Sequence, residues 1–314
     1  MTVMMKIGEG ATAADRAAEA AIAQIGAWAG MEVQYQRIPT GITNLNWKLH
    51  VPAAGRDYFM KLHGANTEIF IDRPLAHEAA LMVGLSGHAP RLVHYVEVGQ
   101  IEIYEFLEGY RSCNVSDLFD PEIRGNIVRA YRDIHRGALL SRAKTGFEQL
   151  DERFRQAQHH GAVLPRDLDY LLWQSNRARL AFDHCGLNLV TCFNDGYVSN
   201  YMVAADKSVK IIDWEYAANN DPYWDLALLS FENFFPPETI REMIAIHDGA
   251  YTPQAEAKVI LNIGLTAVTW GFWAGLQSKI STIPFDFAKY ADLLFLRARH
   301  QMRQASWEDA LAML

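Results

Sequence analysis

The sequence predicts an α+β protein in which a small, β-rich N-terminal lobe precedes a larger, helical C-terminal lobe. Between residues 31 and 106, short runs alternate apolar with polar side chains and are separated by turn residues, which is typical of antiparallel strands. After Gly109 the apolar residues recur at helical spacing instead. We therefore expect lobes of residues 1–107 and 108–314, with a cleft between them, which is a common place for a ligand.

Each element of the N-terminal lobe has its own signal. An alanine-rich stretch favours a helix at 11–28, and Pro74 is allowed in the first turn of a helix at 74–85. The segment Pro-Ala-Ala-Gly-Arg at 52–56 predicts the turn of a hairpin. The expected strands are 31–37, 46–51, 57–62, 92–98 and 101–106.

The C-terminal lobe is predicted to be mainly helical, with one short β island. The island should contain strands at 188–193, 201–204 and 208–212, because these runs are short, apolar and bounded by turn residues. The expected helices are 122–140, 167–184, 223–234, 238–247, 256–278 and 287–303.

The composition is that of a globular protein and argues against several other classes. Half of the 314 residues are hydrophobic, which is too many for a disordered chain. A formal net charge of −8 argues against nucleic-acid binding, which needs a basic face. No signal peptide or membrane span is predicted, and three cysteines without metal-type spacing favour a reducing cytoplasm. A homodimer is compatible with the sequence, which does not determine the oligomeric state.

The clearest chemical signal is the pattern Asp195-x4-Asn200, which lies between two predicted strands. In kinase loops of this form the Asp orients and deprotonates the attacking hydroxyl, while the Asn binds magnesium. Asp and Asn are also common in simple turns, so the pattern alone leaves both readings open. Asp213 favours the kinase reading, because a carboxylate at the end of an apolar strand needs a partner such as Mg²⁺ bound to phosphates.

The N-terminal lobe offers candidate nucleotide-binding residues. Lys61 lies on a predicted strand with Tyr58, Met60 and Leu62 on its opposite face, and Glu78 on the next helix is a candidate partner for its ammonium group. Most Lys and Glu side chains are simply exposed, so only this context favours the pair.

Two further segments are weaker candidates for the nucleotide. The stretch 41–46 lies between two strands, where Thr43, Asn44 and Asn46 could approach phosphates, although a plain hairpin is the default reading. The run 104–107, with Glu105 and Leu107, is a candidate hinge that hydrogen-bonds adenine through its backbone; an ordinary buried strand is the alternative.

Together these motifs resemble the choline/ethanolamine kinase family, within the aminoglycoside-phosphotransferase-like branch of the protein-kinase fold. The resemblance runs from about residue 41 to 299 and implies a two-lobed protein-kinase-like fold that uses ATP and Mg²⁺. The catalytic pieces occur in many small-molecule kinases, whereas the tryptophan and Lys-Ile-Ser pieces favour choline kinases. The pieces are Thr43-Asn44-Leu45-Asn46, Ile71-Asp72-Arg73 ahead of Glu78, Asn194-Asp195 with Asn200, Ile212-Asp213-Trp214-Glu215-Tyr216-Ala217, Asn220-Asp221-Pro222 before Trp224-Asp225, Thr269-Trp270-Gly271-Phe272-Trp273, Gln277-Ser278-Lys279-Ile280-Ser281-Thr282-Ile283 and Phe285-Asp286-Phe287 with Tyr290.

The resemblance also implies a substrate pocket for a small cationic amino alcohol. A quaternary ammonium cannot donate a hydrogen bond, so aromatic faces and carboxylates are its suitable host. Two tryptophans three residues apart share one face of a helix, although such pairs are more often core residues. By motif match, the pocket residues are Glu215, Tyr216, Glu232, Trp270, Trp273 and Tyr290.

The sequence departs from the family pattern at three places. Phe193 stands where the family usually has a His that braces the loop, Lys61 stands where choline kinases often have Arg, and 41–43 differs in the phosphate loop. Two other functions therefore stay open at this stage. One is a kinase for thiamine, a sugar derivative or an aminoglycoside, and the other is a non-catalytic nucleotide or ligand sensor.

Overall fold

The structure, a computed structural model, describes residues 4–39, 44–64 and 67–314. Its contacts divide the chain into two compact units. The first comprises Met1–Ile71 and Ala80–Tyr110, and the second comprises Asp72–Ala79 and Arg111–Leu314. Both units mix helices with strands, as the α+β prediction requires.

The first unit is built on one six-stranded antiparallel sheet. Helix α1 (Ala13–Ile22) precedes most of it and begins at Thr12, which forms a reciprocal capping box with Asp15. Helix α2 (Arg73–Leu85) starts in the second unit and ends in the first. The strands, in sheet order, are β1 (Met5–Lys6), β2 (Gln34–Ile38), β3 (Leu45–Val51), β4 (Arg56–Leu62), β6 (Ile101–Glu105) and β5 (Leu92–Val96).

The β3–β4 hairpin has the turn that its sequence predicts. Pro52–Ala54 form one turn of 3₁₀-helix, and Gly55 closes it with a φ of 59°, a conformation that glycine adopts without a steric penalty. The pairing of Val51 with Arg56 then sets the register of the whole hairpin. Met60 is fully buried against α1 and Trp28, with Tyr58 and Leu62 at the edge of the same cluster, so the predicted apolar face of β4 is confirmed.

The second unit contains the longest helix and two small sheets. Strands β7 (Tyr110–Ser112), β9 (Tyr201–Ala204) and β10 (Val209–Ile211) form one sheet, while β8 (Val190–Cys192) pairs with β11 (Ala218–Asn220). The helices are α3 (Val115–Leu118), α4 (Pro121–His135), α5 (Gly146–His159), α6 (Leu168–Cys185), α7 (Pro222–Asn233), α8 (Pro237–Asp248), α9 (Pro253–Ile280), α10 (Phe287–Met302) and α11 (Ala305–Met313).

Helix α9 is the centre of this unit and packs against α5, α7, α10 and α11. It is long and apolar enough to cross a membrane, but 83% of its most apolar window is buried inside the protein. That burial is typical of a core helix, and α9 is the one helix of the described chain that passes this test.

Several sequence predictions of element extent were wrong. The helix expected at 11–28 ends at Ile22 and is followed by a separate 3₁₀ turn at Gly26–Trp28. The helix expected at 122–140 ends at His135, where Arg136 is its C-cap. The prediction also missed α3, α5 and α11 and the short strands β1, β7 and β11.

Candidate functional site

The predicted catalytic loop joins β8 to β9 and ends in a 3₁₀ turn at Val198–Asn200. This turn brings Asn200 back beside Asp195, and the Asn200 amide nitrogen Nδ2 donates a 3.0 Å hydrogen bond to Asp195 Oδ2. That orientation leaves Asn200 Oδ1 as the oxygen able to bind a cation. The Asn200 carbonyl also accepts a hydrogen bond from Ile212 N, which joins the loop to the strand end that carries Asp213.

Two residues of the site have unusual backbone conformations. Asp213 (φ 67°) and Asn194 (φ 61°) both lie in the left-handed region, which Asp and Asn adopt more readily than other non-glycine residues but which still strains the backbone. Asn194 is held there by hydrogen bonds from its Nδ2 to the carbonyls of Tyr216 and Ala218. Such strain persists where the surroundings fix it, and it is concentrated at functional sites.

The electrostatics of Asp195 fit a cation site. Burial and, next in size, the neighbouring Asp213 carboxylate raise the pKa of Asp195 to about 8, with smaller contributions from Glu232 and Glu215. A set of carboxylate and amide oxygens with excess negative charge is the donor set that Mg²⁺ takes. Asn200 and Asp213 therefore fit the predicted metal ligands, with Asp195 next to them.

The main chain of the loop is fixed by a residue that the sequence analysis gave no role. The fully buried Asp225 carboxylate, on α7, accepts hydrogen bonds of 2.8 Å from Phe193 N and from Asn194 N. These two bonds hold the backbone just before Asp195, so Asp225 helps to fix the position of the residue predicted to be catalytic.

Phe193 itself is fully buried in an aromatic cluster. Its ring lies 4.8 Å from that of Trp214 and 6.4 Å from those of Tyr131 and Tyr201, whose hydroxyls share a 2.6 Å hydrogen bond. Its side chain therefore contributes packing, while its N–H is used by Asp225.

Glu215 is buried and forms an ion pair of 2.8 Å with Arg73 at the start of α2. Both side chains are 6% exposed, so the pair is shielded from water. The predicted substrate carboxylate Glu215 therefore has a fixed cationic partner within the protein, and Arg73 is a site residue to which the sequence analysis gave no role.

The predicted aromatic residues of the substrate pocket lie together. The Trp270 ring is 5.4 Å from those of Tyr216 and Trp273, in edge-on arrangements. The series continues through Phe287, Phe285 and Tyr290, at ring separations of 5.9, 4.8 and 5.8 Å. Trp273 belongs to the hydrophobic core and Trp270 packs at its edge, so both contribute to the core, and their role in a substrate pocket stays a prediction.

Glu232 differs from Glu215 because no described residue forms a hydrogen bond or ion pair with it. Burial raises its pKa, and Arg297 lowers it from a distance. The Arg297 guanidinium lies over the rings of Phe231 and Phe234, 3.5 and 4.1 Å from their centroids, and donates to the Phe231 carbonyl. Burial also raises the pKa of Tyr290, with a smaller contribution in the same direction from the Glu232 carboxylate.

In the first unit, the predicted nucleotide residues Asn46 and Lys61 are both buried. They are register partners on β3 and β4, and Lys61 pairs across β4 and β6 with Glu102, which is buried as well. Directly opposite residues of antiparallel strands have neighbouring side chains, so this carboxylate lies next to Lys61. The sequence analysis missed Glu102 because its closeness to Lys61 results from the pairing of β4 with β6, which the sequence pattern does not show.

The other predicted nucleotide residues have varied surroundings. Asn44 Oδ1 accepts from Gly64 N at 3.2 Å, and Thr43 lies outside the described residues. The Glu78 carboxylate, in the second unit, accepts hydrogen bonds from the N–H and hydroxyl of Ser141, and its pairing with Lys61 stays a prediction.

At the predicted hinge, the Glu105 N–H donates to the Arg91 carbonyl at 2.9 Å, and its carboxylate accepts from Arg91 N and Nε. Beyond the strand, Leu107 N–H has no hydrogen-bond partner among the residues that the structure describes. The donor that an adenine hinge needs is therefore present at Leu107, and its use stays a prediction.

The chain is similar to known proteins over most of its length. Residues 35–262 match the choline/ethanolamine kinase family. Probable choline kinase 2 of Arabidopsis thaliana is 24% identical over 284 residues, covering 80% of this chain and 79% of that protein. Human ethanolamine kinase 1 is also 24% identical, over 314 residues that cover 85% of this chain and 67% of that protein.

The fold is similar to a crystal structure of a choline/ethanolamine kinase family protein from Mesorhizobium loti. The TM-score is 0.82 at 23% identity, covering 96% of this chain and 98% of the other. This likeness confirms the predicted protein-kinase-like fold class, and the family match confirms the predicted kinase activity. The chain therefore belongs to the choline/ethanolamine kinase family of small-molecule kinases.

Proposed function

We propose that the chain transfers the γ-phosphoryl group of ATP to the hydroxyl of a small cationic amino alcohol, choline or ethanolamine. The observation that carries the substrate class is Glu232, a half-buried carboxylate without a hydrogen bond or ion pair to any described residue. The charge of Glu232 raises the pKa of Tyr290, one of the predicted pocket rings, and a carboxylate together with aromatic faces suits an ammonium group. The family names of the relatives support the same class.

The chemistry follows from the positions of three polar residues. Asp195 orients the substrate hydroxyl and accepts its proton, while Asn200 and Asp213 supply the oxygens for Mg²⁺. When bound, Mg²⁺ neutralises charge on the phosphates. Catalysis of this kind depends on positioning and on charge stabilisation, which the fixed loop backbone and the Asp195–Asn200 hydrogen bond supply.

The remaining parts of the proposal concern the nucleotide and the cation. Lys61, Asn44, Asn46 and the segment around Leu107 contact ATP, and Thr43 and Glu78 complete this predicted set. On the substrate side, Glu232 binds the ammonium group. The aromatic side of the proposed pocket consists of Tyr216, Trp270, Trp273 and Tyr290, and Glu215 is held in place by its ion pair with Arg73.

The direct test is a panel of acceptors incubated with Mg·ATP, with ADP and phosphorylated product both measured. The panel contains choline, ethanolamine, thiamine and an aminoglycoside. We expect turnover of choline or ethanolamine, and an Asp195→Asn variant should lose several orders of magnitude in kcat. Turnover of thiamine or the aminoglycoside alone would refute the substrate class, and ATP binding without turnover of any acceptor would refute the reaction.

The role of Glu232 is tested by Glu232→Gln, which keeps the shape and removes the charge. For ethanolamine, whose ammonium group can donate, a hydrogen bond to a charged group contributes about 1.5–3 kcal/mol, so KM for ethanolamine should rise roughly 10- to 150-fold. KM for ATP should stay unchanged. Glu238→Gln, at an exposed position on the next helix, is the matched control. If both variants change KM for the amino alcohol equally, Glu232 does not bind the substrate.

A further inference from the structure

A chain of buried hydrogen bonds runs from the surface of α8 to the catalytic loop. His247 Nδ1 lies 2.5 Å from Asp248 Oδ1, and His247 Nε2 lies 2.8 Å from His135 Nδ1 on α4. His135 Nε2 then lies 3.0 Å from Asp225 Oδ2. The same Asp225 oxygen accepts from Phe193 N, so two imidazole rings link Asp248 to the loop backbone.

The donors and acceptors of this chain are fixed by its two ends. Both aspartates accept, so His135 Nε2 and His247 Nδ1 each carry hydrogen. One more hydrogen must lie between the two rings, at His135 Nδ1 or His247 Nε2. With a hydrogen in each of the three contacts, the series sets one orientation for each imidazole ring.

The chain is shielded from water over most of its length. Asp225 is fully buried, and the His135 and His247 side chains are 3% and 9% exposed. Asp248 is 24% exposed, and its second oxygen accepts a 2.8 Å hydrogen bond from the Tyr223 hydroxyl. A buried network that satisfies every member fixes one arrangement of the groups it joins.

We propose that His247 and Asp248 are positioning residues for phosphoryl transfer, acting through His135 and Asp225 on the backbone that precedes Asp195. The role rests on the proposed function of the loop. It suits this protein in particular, because the Phe193 side chain cannot form a hydrogen bond, and the main-chain N–H groups of Phe193 and Asn194 both donate to Asp225 instead.

Cys192 lies close to the same group, with its sulfur within 4.8 Å of the His135 and Asp225 ligand atoms. Its thiol donates to the Asn220 carbonyl at 3.4 Å, and burial raises its pKa well above the usual value. The Cys192 thiol and His135 Nε2–H are thus both used in hydrogen bonds within the protein. We therefore assign this cluster a positioning role and not a metal-binding one.

The test compares His247→Leu with Ile244→Val in the full-length protein. Both change a buried side chain of α8, but Ile244→Val leaves the hydrogen-bond chain intact. We expect His247→Leu to lower kcat about tenfold or more while KM for ATP and for the acceptor stays within twofold. Hydrogen–deuterium exchange at Phe193 and Asn194 should become faster, although neither residue contacts His247.

Two further variants make the outcome decisive. Asp248→Ala acts at the partly exposed end, so the protein should stay folded, and we expect the same changes with smaller size. His247→Gln keeps a side-chain donor for His135 and should recover part of the loss. If the Phe193 and Asn194 amides exchange hydrogen for deuterium at the same rate in His247→Leu and Asp248→Ala as in Ile244→Val, the positioning role is wrong. This measurement needs no turnover, so it is independent of the proposed reaction.

Discussion

The ion pair between Arg73 and Glu215 gives a quantitative test of how the site is built. In an Arg73→Met variant the carboxylate of Glu215 would stay buried without the guanidinium that lies 2.8 Å from it. Breaking a buried pair in this way costs about 3–5 kcal/mol, because the remaining charge keeps its desolvation penalty. Against a typical total of about 5–15 kcal/mol, the variant should fold but unfold at much lower urea concentration.

A second pair beside it is the matched control. Arg142 and Asp72 form an ion pair of 2.6 Å, but their side chains are 55% and 31% exposed. Exposed pairs contribute about 0–1 kcal/mol, so Arg142→Met should change stability little. The assay is urea unfolding followed by circular dichroism at 222 nm and by tryptophan fluorescence.

The double variant Arg73→Met/Glu215→Leu separates a lost pair from lost packing. Replacing both charges with apolar groups of similar volume is often neutral, so we expect most of the stability to return. The coupling free energy between the two positions should then reach about 2 kcal/mol or more. If Arg73→Met unfolds at the same urea concentration as Arg142→Met, the reasoning from burial is refuted.

Three other results are expected. In Gly196→Ala the new Cβ would lie 2.7 Å from Leu228 Cβ, so the loop must move, and kcat should fall roughly 100-fold without loss of the helical signal; unchanged kinetics would contradict this. One thiol, Cys185, should react with a thiol reagent in the native protein and all three in denaturant, because Cys113 and Cys192 are buried and burial raises the pKa of Cys113 to about 11; a count of three in the native state would be the contrary result. Chelation of divalent cations with EDTA should abolish turnover but leave the circular dichroism spectrum unchanged, and added Mg²⁺ should restore it.

Local signals in the sequence were enough for many of the elements. The turn at Pro52–Ala54 and Gly55 and the strand Tyr201–Ala204 follow from turn chemistry and β-branched or aromatic residues. Helix α5 was missed although Thr145 and Glu148 form a capping box at its start. Its apolar residues are sparse, and its stability comes from packing against α9, which a local pattern does not contain.

The site divides in the same way between local and distant relations. Asp195 and Asn200 are close in sequence, so their spacing alone predicts that one loop presents both. Arg73 and Glu215 are 142 residues apart, and Asp225 lies 32 residues beyond the Phe193 N–H that it accepts. Such pairs follow from how elements pack in space, and the sequence analysis had no signal that links them.

The meaning of Phe193 changes once the bonds of the loop are known. The bracing that the family's usual His implies is supplied here through the main-chain N–H groups of Phe193 and Asn194, and every residue except proline has such a donor. The phenylalanine ring is fully buried and adds packing against Trp214. With Phe at position 193, the loop backbone is held by the carboxylate that accepts its N–H groups. That carboxylate is Asp225, which is itself hydrogen-bonded to His135. We therefore expect the loop to support phosphoryl transfer with an aromatic residue at position 193.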